Sequence, residues 1–122
     1  MAYYFLFPEK DTTIYSHPDR KSMNTGGDEI LEVVKERAVT DSRYYPTRII
    51  LSFKNEEIQS TINLIGSSNF NDSTSKVNLK LYTTRPKNLS DVLNLEVFAL
   101  AESWNEGKER YTNLPPSSRG CT

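Results

Sequence analysis

The sequence predicts a mainly β protein: an antiparallel β-sandwich with one short helix near residues 55–65. Three observations lead there. Apolar and polar residues alternate with period two in several separate segments, as in strands with one face buried. Those segments follow one another at irregular spacing. A single stretch carries helical spacing, whereas a parallel sheet needs a long crossover helix between successive strands.

Taken in order, Tyr3 to Phe7 is a short aromatic run ended by Pro8, the size of an edge strand. Thr12 to Tyr15 follows, and the turn-rich stretch from Ser16 to Asp28 closes it. Ile30 to Lys35 reads as a strand with Leu31 and Val33 on one face and Ile30, Glu32 and Val34 on the other. Thr47 to Phe53 sets Ile49, Leu51 and Phe53 against Arg48, Ile50 and Ser52. Asn55 to Ile65 changes period: Ile58, Ile62 and Ile65 fall on one helical face. Asn55 is the expected N-cap, Glu56 and Glu57 suit the first turn, and Gly66 is the expected stop. Ser67 to Ser75 is a polar loop. Two further strands are expected where Val77, Leu79 and Leu81 alternate with Asn78, Lys80 and Tyr82, and where Leu95, Val97 and Ala99 alternate with Glu96, Phe98 and Leu100.

The 122 residues make one domain, 1–122, with room for one packed core. Fifteen basic against 16 acidic residues leave a formal charge of −1, which argues against a nucleic-acid partner held by phosphate neutralisation. The apolar start halts at Pro8 and has no basic leader, so neither a signal peptide nor a membrane span is expected. Cytosolic synthesis follows. The single thiol, Cys121, closes no disulfide within the chain.

Several strands carry apolar residues on both faces: Ile50 on one, Phe98 and Leu100 on another, Ile30 and Val34 on a third. A free-standing sandwich keeps its outer faces polar. Either the helix and the long loop cover these residues, or a neighbouring subunit does.

Catalytic sets are absent from the sequence pattern. His17 is the sole histidine and stands in a His-Pro-Asp turn, a surface position. No nucleophile elbow or phosphate loop occurs, and Asn24 to Asp28 reads as a turn that needs positive φ. Glu102 and Glu106 are the carboxylates a glycosidase would use, but solvent roles are preferred. No catalytic residue, cofactor or metal site is therefore assigned. Structural calcium would draw on Asp11, Asn24 and Asp28, or on Asn69, Asn71 and Asp72; Asx turns are the preferred account of both groups. Trp104 either plugs an end of the sandwich, the preferred reading, or stacks on a sugar. Arg37, Arg43 and Arg48 around Tyr44-Tyr45-Pro46 read as a solvated loop.

The order of motifs carries a resemblance. Asp11-Thr-Thr-Ile-Tyr15 is followed by Asn24-Thr-Gly26 with Leu31-Glu-Val33, then Arg48-Ile-Ile-Leu-Ser-Phe53, Val77-Asn-Leu-Lys-Leu-Tyr82 and Ser103-Trp-Asn-Glu-Gly107. This resembles the DNRLRE-type β-sandwich modules, carbohydrate-binding-like jelly rolls of secreted bacterial proteins and bacteriophage virions. The resemblance implies a binding or structural module rather than an enzyme. Joined to cytosolic synthesis, it implies a virion component of a tailed bacteriophage, docked on tail, neck or capsid as an adaptor or fibre-attachment domain. Its expected partners are other virion proteins or copies of itself, with Tyr3, Tyr4, Phe5 and Phe7 at the contact. The alternative is recognition of host surface glycans, with Trp104, Tyr82 and Tyr111 as stacking platforms. In the resembled family further strands follow the Trp-Asn-Glu-Gly turn, so the sandwich is expected to be open at its C-terminal end, completed by more chain or by a neighbour.

Overall fold

The computed structural model describes residues 2–23, 25–71, 73–84, 94–108 and 110. Three strands and one helix lie within them: β1 (Pro8–Tyr15), β2 (Lys35–Arg37), β3 (Tyr44–Phe53) and α1 (Asn55–Ile65). The strands form an antiparallel sheet in the order β1-β3-β2. No helix among the described residues is long and apolar enough to cross a membrane.

β3 is the centre of this arrangement, and it changes partner along its length. Tyr44 to Pro46 pairs with β2, Pro46 opposite Lys35. Thr47 to Phe53 pairs with β1, from Thr47 opposite Tyr15 to Phe53 opposite Pro8. The change falls directly after Pro46, which has no N–H to give a second neighbour. At the junction the Thr47 N–H donates to the Val34 carbonyl at 2.9 Å. Its hydroxyl donates to the Glu32 carbonyl at 2.7 Å and accepts the Val34 N–H at 2.9 Å.

Those bonds explain why the strand expected over Ile30 to Lys35 appears as a ladder only at Lys35–Arg37. The Glu32 N–H goes to the Thr13 hydroxyl at 3.0 Å and the Val34 N–H to the Thr47 hydroxyl. Side-chain hydroxyls here take the place of a neighbouring strand. β1 also differs from expectation: it begins at Pro8, three residues before the Asp11-Thr-Thr motif, and its register slips between Pro8 and Lys10. Proline is tolerated there because it is the first residue of an edge strand.

β2 and β3 form a hairpin around residues 38–43, with Ser42 at φ 60. Its closing bonds are Ala38 N–H to Arg43 O at 3.0 Å and Ser42 N–H to Ala38 O at 3.1 Å. Tyr44-Tyr45-Pro46 is therefore the start of a strand, not a solvated loop. Tyr44 pairs with Arg37 across the ladder, and the Lys35 ammonium lies 5.3 Å from the centre of the Tyr44 ring.

The helix expected from the isoleucine spacing spans Asn55–Ile65. Ile58, Ile62 and Ile65 are half-buried along one face, while Leu64 is exposed. The N-cap is Lys54 rather than Asn55: Lys54 is extended at φ −64, ψ 120 and its carbonyl accepts the Ile58 N–H at 3.2 Å. Asn55 already has helical geometry, so its side chain does not reach back to cap. Gly66 ends the helix at φ 85, its N–H shared between the Ile62 and Asn63 carbonyls. Residues 67–71 and 73–75 belong to the expected polar loop.

Three apolar segments expected as strands belong to no ladder among the described residues: Tyr3 to Phe7, Val77 to Tyr82 and Leu95 to Leu100. A strand needs a neighbour for its backbone groups, and alternation of side chains alone does not supply one. Buried hydrophobic residues among those described are Tyr15 and Ala38. The sheet, its antiparallel sense and the short helix are as expected.

Candidate functional site

Among the described residues, the outer edge of β1 is where distant segments meet most closely. Alternate residues of an edge strand direct their N–H and C=O groups away from the sheet. On β1 these are the outward groups of Asp11 and Thr13, and each meets a side chain from a distant segment. The Asp11 N–H donates to Glu106 Oε1 at 2.6 Å, across 95 residues of sequence. The Thr13 N–H donates to the Thr25 hydroxyl at 3.1 Å, and that hydroxyl donates in turn to the Thr13 carbonyl at 2.7 Å. Thr25 has one hydroxyl proton and has given it to Thr13, so the 3.1 Å contact between Thr12 Oγ1 and Thr25 Oγ1 has Thr12 as donor.

Thr12, Thr13 and Thr25 are each at most 3% exposed. Burying hydroxyl and amide groups costs about 1–3 kcal/mol apiece when they lack partners. Here no buried side-chain nitrogen or oxygen among the described residues lacks one. The network extends inward: Tyr15 donates its phenol proton to Glu32 Oε2 at 2.5 Å, and the Glu32 N–H meets Thr13. Three of the five motif segments read from the sequence thus meet at this edge, at 11–15, 25–33 and 103–107, and a fourth, 48–53, pairs with β1 along its opposite side. Val77 to Tyr82 does not join them.

Gly26 shows how tightly the turn at 103–107 is seated. A β-carbon there would stand 2.1 Å from the Glu106 carbonyl oxygen and 2.7 Å from its carbonyl carbon. Glycine is required at 26 by this close approach. The expected reason, a turn with positive φ, is not the operative one; among the described residues the positive-φ glycines are Gly66 and Gly107.

Electrostatics follow from the geometry. Burial raises the Asp11 pKa above the ordinary aspartate value, and the nearby Glu106 carboxylate raises it further. Asp41 shows the opposite: the Tyr45 phenol and then the Arg43 N–H hydrogen-bond its carboxylate and lower its pKa, while the Tyr45 phenol is raised by the same bond. Glu106, one of the two carboxylates considered for glycoside chemistry, serves as a backbone acceptor, and Glu102 is exposed.

The other singled-out residues are placed as follows. Tyr3, Tyr4, Phe5 and Phe7 are all exposed, Phe5 and Phe7 by about three-quarters. Phe5 and Leu6 line an open groove of about 420 Å³ with Glu56, Glu57, Ser60 and Thr61 of α1. Trp104 is half-buried in the seated turn. Tyr82 is 78% exposed, with the Lys80 ammonium 5.1 Å from its ring centre; these two aromatics lie in separate segments. Tyr111, Cys121 and the expected open C-terminal end lie outside the described residues, as do Asn24 and Asp72.

His17 is not the open surface residue expected. Its side chain is 14% exposed and packs edge-on to Tyr45 with ring centres 5.5 Å apart. The turn around it is as expected, with the Arg20 and Lys21 N–H groups donating to its carbonyl. Asn71 forms an Asx turn, its Oδ1 accepting from the Ser73 and Thr74 N–H groups. No group of three or more His, Cys, Asp or Glu among the described residues could hold a metal ion.

Sequence reasoning missed Thr12, Thr13 and Thr25 as the centre of the site. A Thr-Thr pair in a strand and an Asn-Thr-Gly turn are ordinary patterns singly; only their meeting is informative. Comparison with protein-family models, curated proteins and solved structures gives no match.

Proposed function

We propose that this chain is a non-enzymatic structural module, a β-sandwich that packs against other protein surfaces, and that it serves in the virion of a tailed bacteriophage at the tail, neck or capsid. One observation carries the structural part of this reading. The alternating segments Val77 to Tyr82 and Leu95 to Leu100 present large apolar side chains to solvent on both faces, Val77 by 87% and Phe98 by 80%. Large apolar side chains exposed in such number along two segments suit contact with another molecule, at about 25 cal/mol for each Å² removed from water. The exposed aromatic run from Tyr3 to Phe7 adds a second such surface.

The virion assignment rests on the motif order in the sequence. The contacts that four of those motif segments make around β1, three at its outer edge and one as its ladder partner, support treating them as parts of one structural unit. The residues at that edge act as a clasp: their donors and acceptors are spent on one another.

Light scattering of the purified chain, alone and mixed with virion proteins, tests the proposal. Association through the apolar segments is expected, with loss of hydrophobic-dye binding on assembly. A folded monomer that binds no virion protein and keeps these segments shielded from dye overturns it. The glycan reading draws on the exposure of Tyr82. Glycan-array binding abolished by Tyr82→Ala or Trp104→Ala in a folded chain would replace the structural reading with that one.

A further inference from the structure

We propose that residues 76–82 of one copy pair antiparallel with residues 94–100 of a second copy, joining two chains by two reciprocal strand ladders. The inference rests on the reading that the exposed segments are covered by another chain, and it names that chain. On β1 the outward groups of Asp11 and Thr13 are occupied by Glu106 and Thr25. β2 is three residues long and wholly charged, Lys35-Glu36-Arg37. Short, charged or covered edges resist further pairing. The segments 77–82 and 95–100 are instead alternating, apolar and outside every described ladder.

The two segments are complementary in charge and in pattern. The first segment is basic, with Lys76 and Lys80; the second carries Glu96. In an antiparallel register with Lys80 opposite Glu96, Leu79 meets Val97, Leu81 meets Leu95 and Val77 meets Ala99. One face is then apolar throughout. The other bears the Lys80–Glu96 pair, with Asn78 opposite Phe98, Lys76 opposite Leu100 and Tyr82 opposite Asn94. A slip of one residue either way breaks the Lys80–Glu96 pair and sets Leu81 opposite Glu96 or Asn94. The side-chain phase is already present: Lys80 lies over Tyr82, two residues on, as neighbours on one face of an extended segment do.

Reciprocal exchange between two identical chains closes a two-fold dimer in which each complementary pair occurs twice. Charge reversal tests this directly. Lys80→Glu and Glu96→Lys are each expected to weaken the dimer roughly tenfold, since each sets like charges opposite one another in both ladders. An equimolar mixture of the two variants is expected to restore full affinity, because both ladders of the mixed dimer regain opposite charges. Native mass spectrometry reads the mixed dimer, and amide exchange over 76–82 and 94–100 reads the ladders.

A wild-type chain that stays monomeric at the highest attainable concentration overturns the inference. So does a double variant that regains amide protection as a monomer, since the pairing would then lie within one chain. In the first case, capture of a different virion protein by the still-unprotected segments leaves the broader structural reading standing. The second case removes both.

Discussion

Gly26 faces the backbone of Glu106 so closely that a β-carbon on it would stand 2.1 Å from the Glu106 carbonyl oxygen. The same Glu106 sends its carboxylate to the Asp11 N–H. Main chain and side chain of one residue therefore bridge two segments lying 80 and 95 positions earlier. The stability of this edge depends on a small set of atoms.

Gly26→Ala should destabilise the chain by about 3 kcal/mol or more, because overpacking against a main chain cannot be relieved by a rotamer change. Truncation of Glu106 in the same variant should not rescue it, since the nearest obstacle is the carbonyl oxygen. Urea denaturation followed by circular dichroism measures both effects.

Thr25→Val removes one hydroxyl and leaves the Thr13 N–H, the Thr13 carbonyl and the Thr12 hydroxyl without that partner. The expected loss is about 2–3 kcal/mol. Thr25→Ser keeps the hydroxyl and should cost about 1 kcal/mol, for the lost methyl group alone. A ranking of Ser below Val in stability would contradict the hydrogen-bond account.

Asp11 and Asp41 should respond to pH with opposite signs. The folded pKa of Asp11 is raised, so the folded state holds that proton more tightly than the unfolded one. Its contribution is present below the unfolded value and is lost as pH rises through the folded value. Glu106→Gln should return the Asp11 pKa part of the way toward ordinary, because burial is the larger cause and remains. The folded pKa of Asp41 is lowered, so its contribution is present above the unfolded value and is lost as pH falls through the folded one. Carboxyl-carbon NMR titration of the two residues reads both directions.

Gly66 sits at φ 85 and ψ 125, where a side chain is strained. Gly66→Ala should cost about 1–2 kcal/mol and fray the last turn of α1, seen as faster exchange of the amide protons at the end of the helix. Gly66→Asn should recover little of it, since this ψ lies outside the left-handed helical well that asparagine tolerates.

The sequence by itself determined what depends on neighbours along the chain. The period of Ile58, Ile62 and Ile65, followed by Gly66, specifies α1, because helical hydrogen bonds close within four residues. The alternation from Thr47 to Phe53 specifies β3, whose two faces differ whatever it pairs with. The antiparallel sense follows from the lack of crossover helices. Tertiary structure decided whatever depends on remote partners. Thr25 and Glu106 become the neighbours of β1, Thr47 and Thr13 become the partners of residues 32–34, and Pro46 marks where β3 exchanges β2 for β1. Val77 to Tyr82 and Leu95 to Leu100 alternate as clearly as β3 does, yet stand outside every described ladder. Alternation records which face a side chain will take; a ladder also requires a second backbone within hydrogen-bonding reach, and no pattern within one segment encodes that.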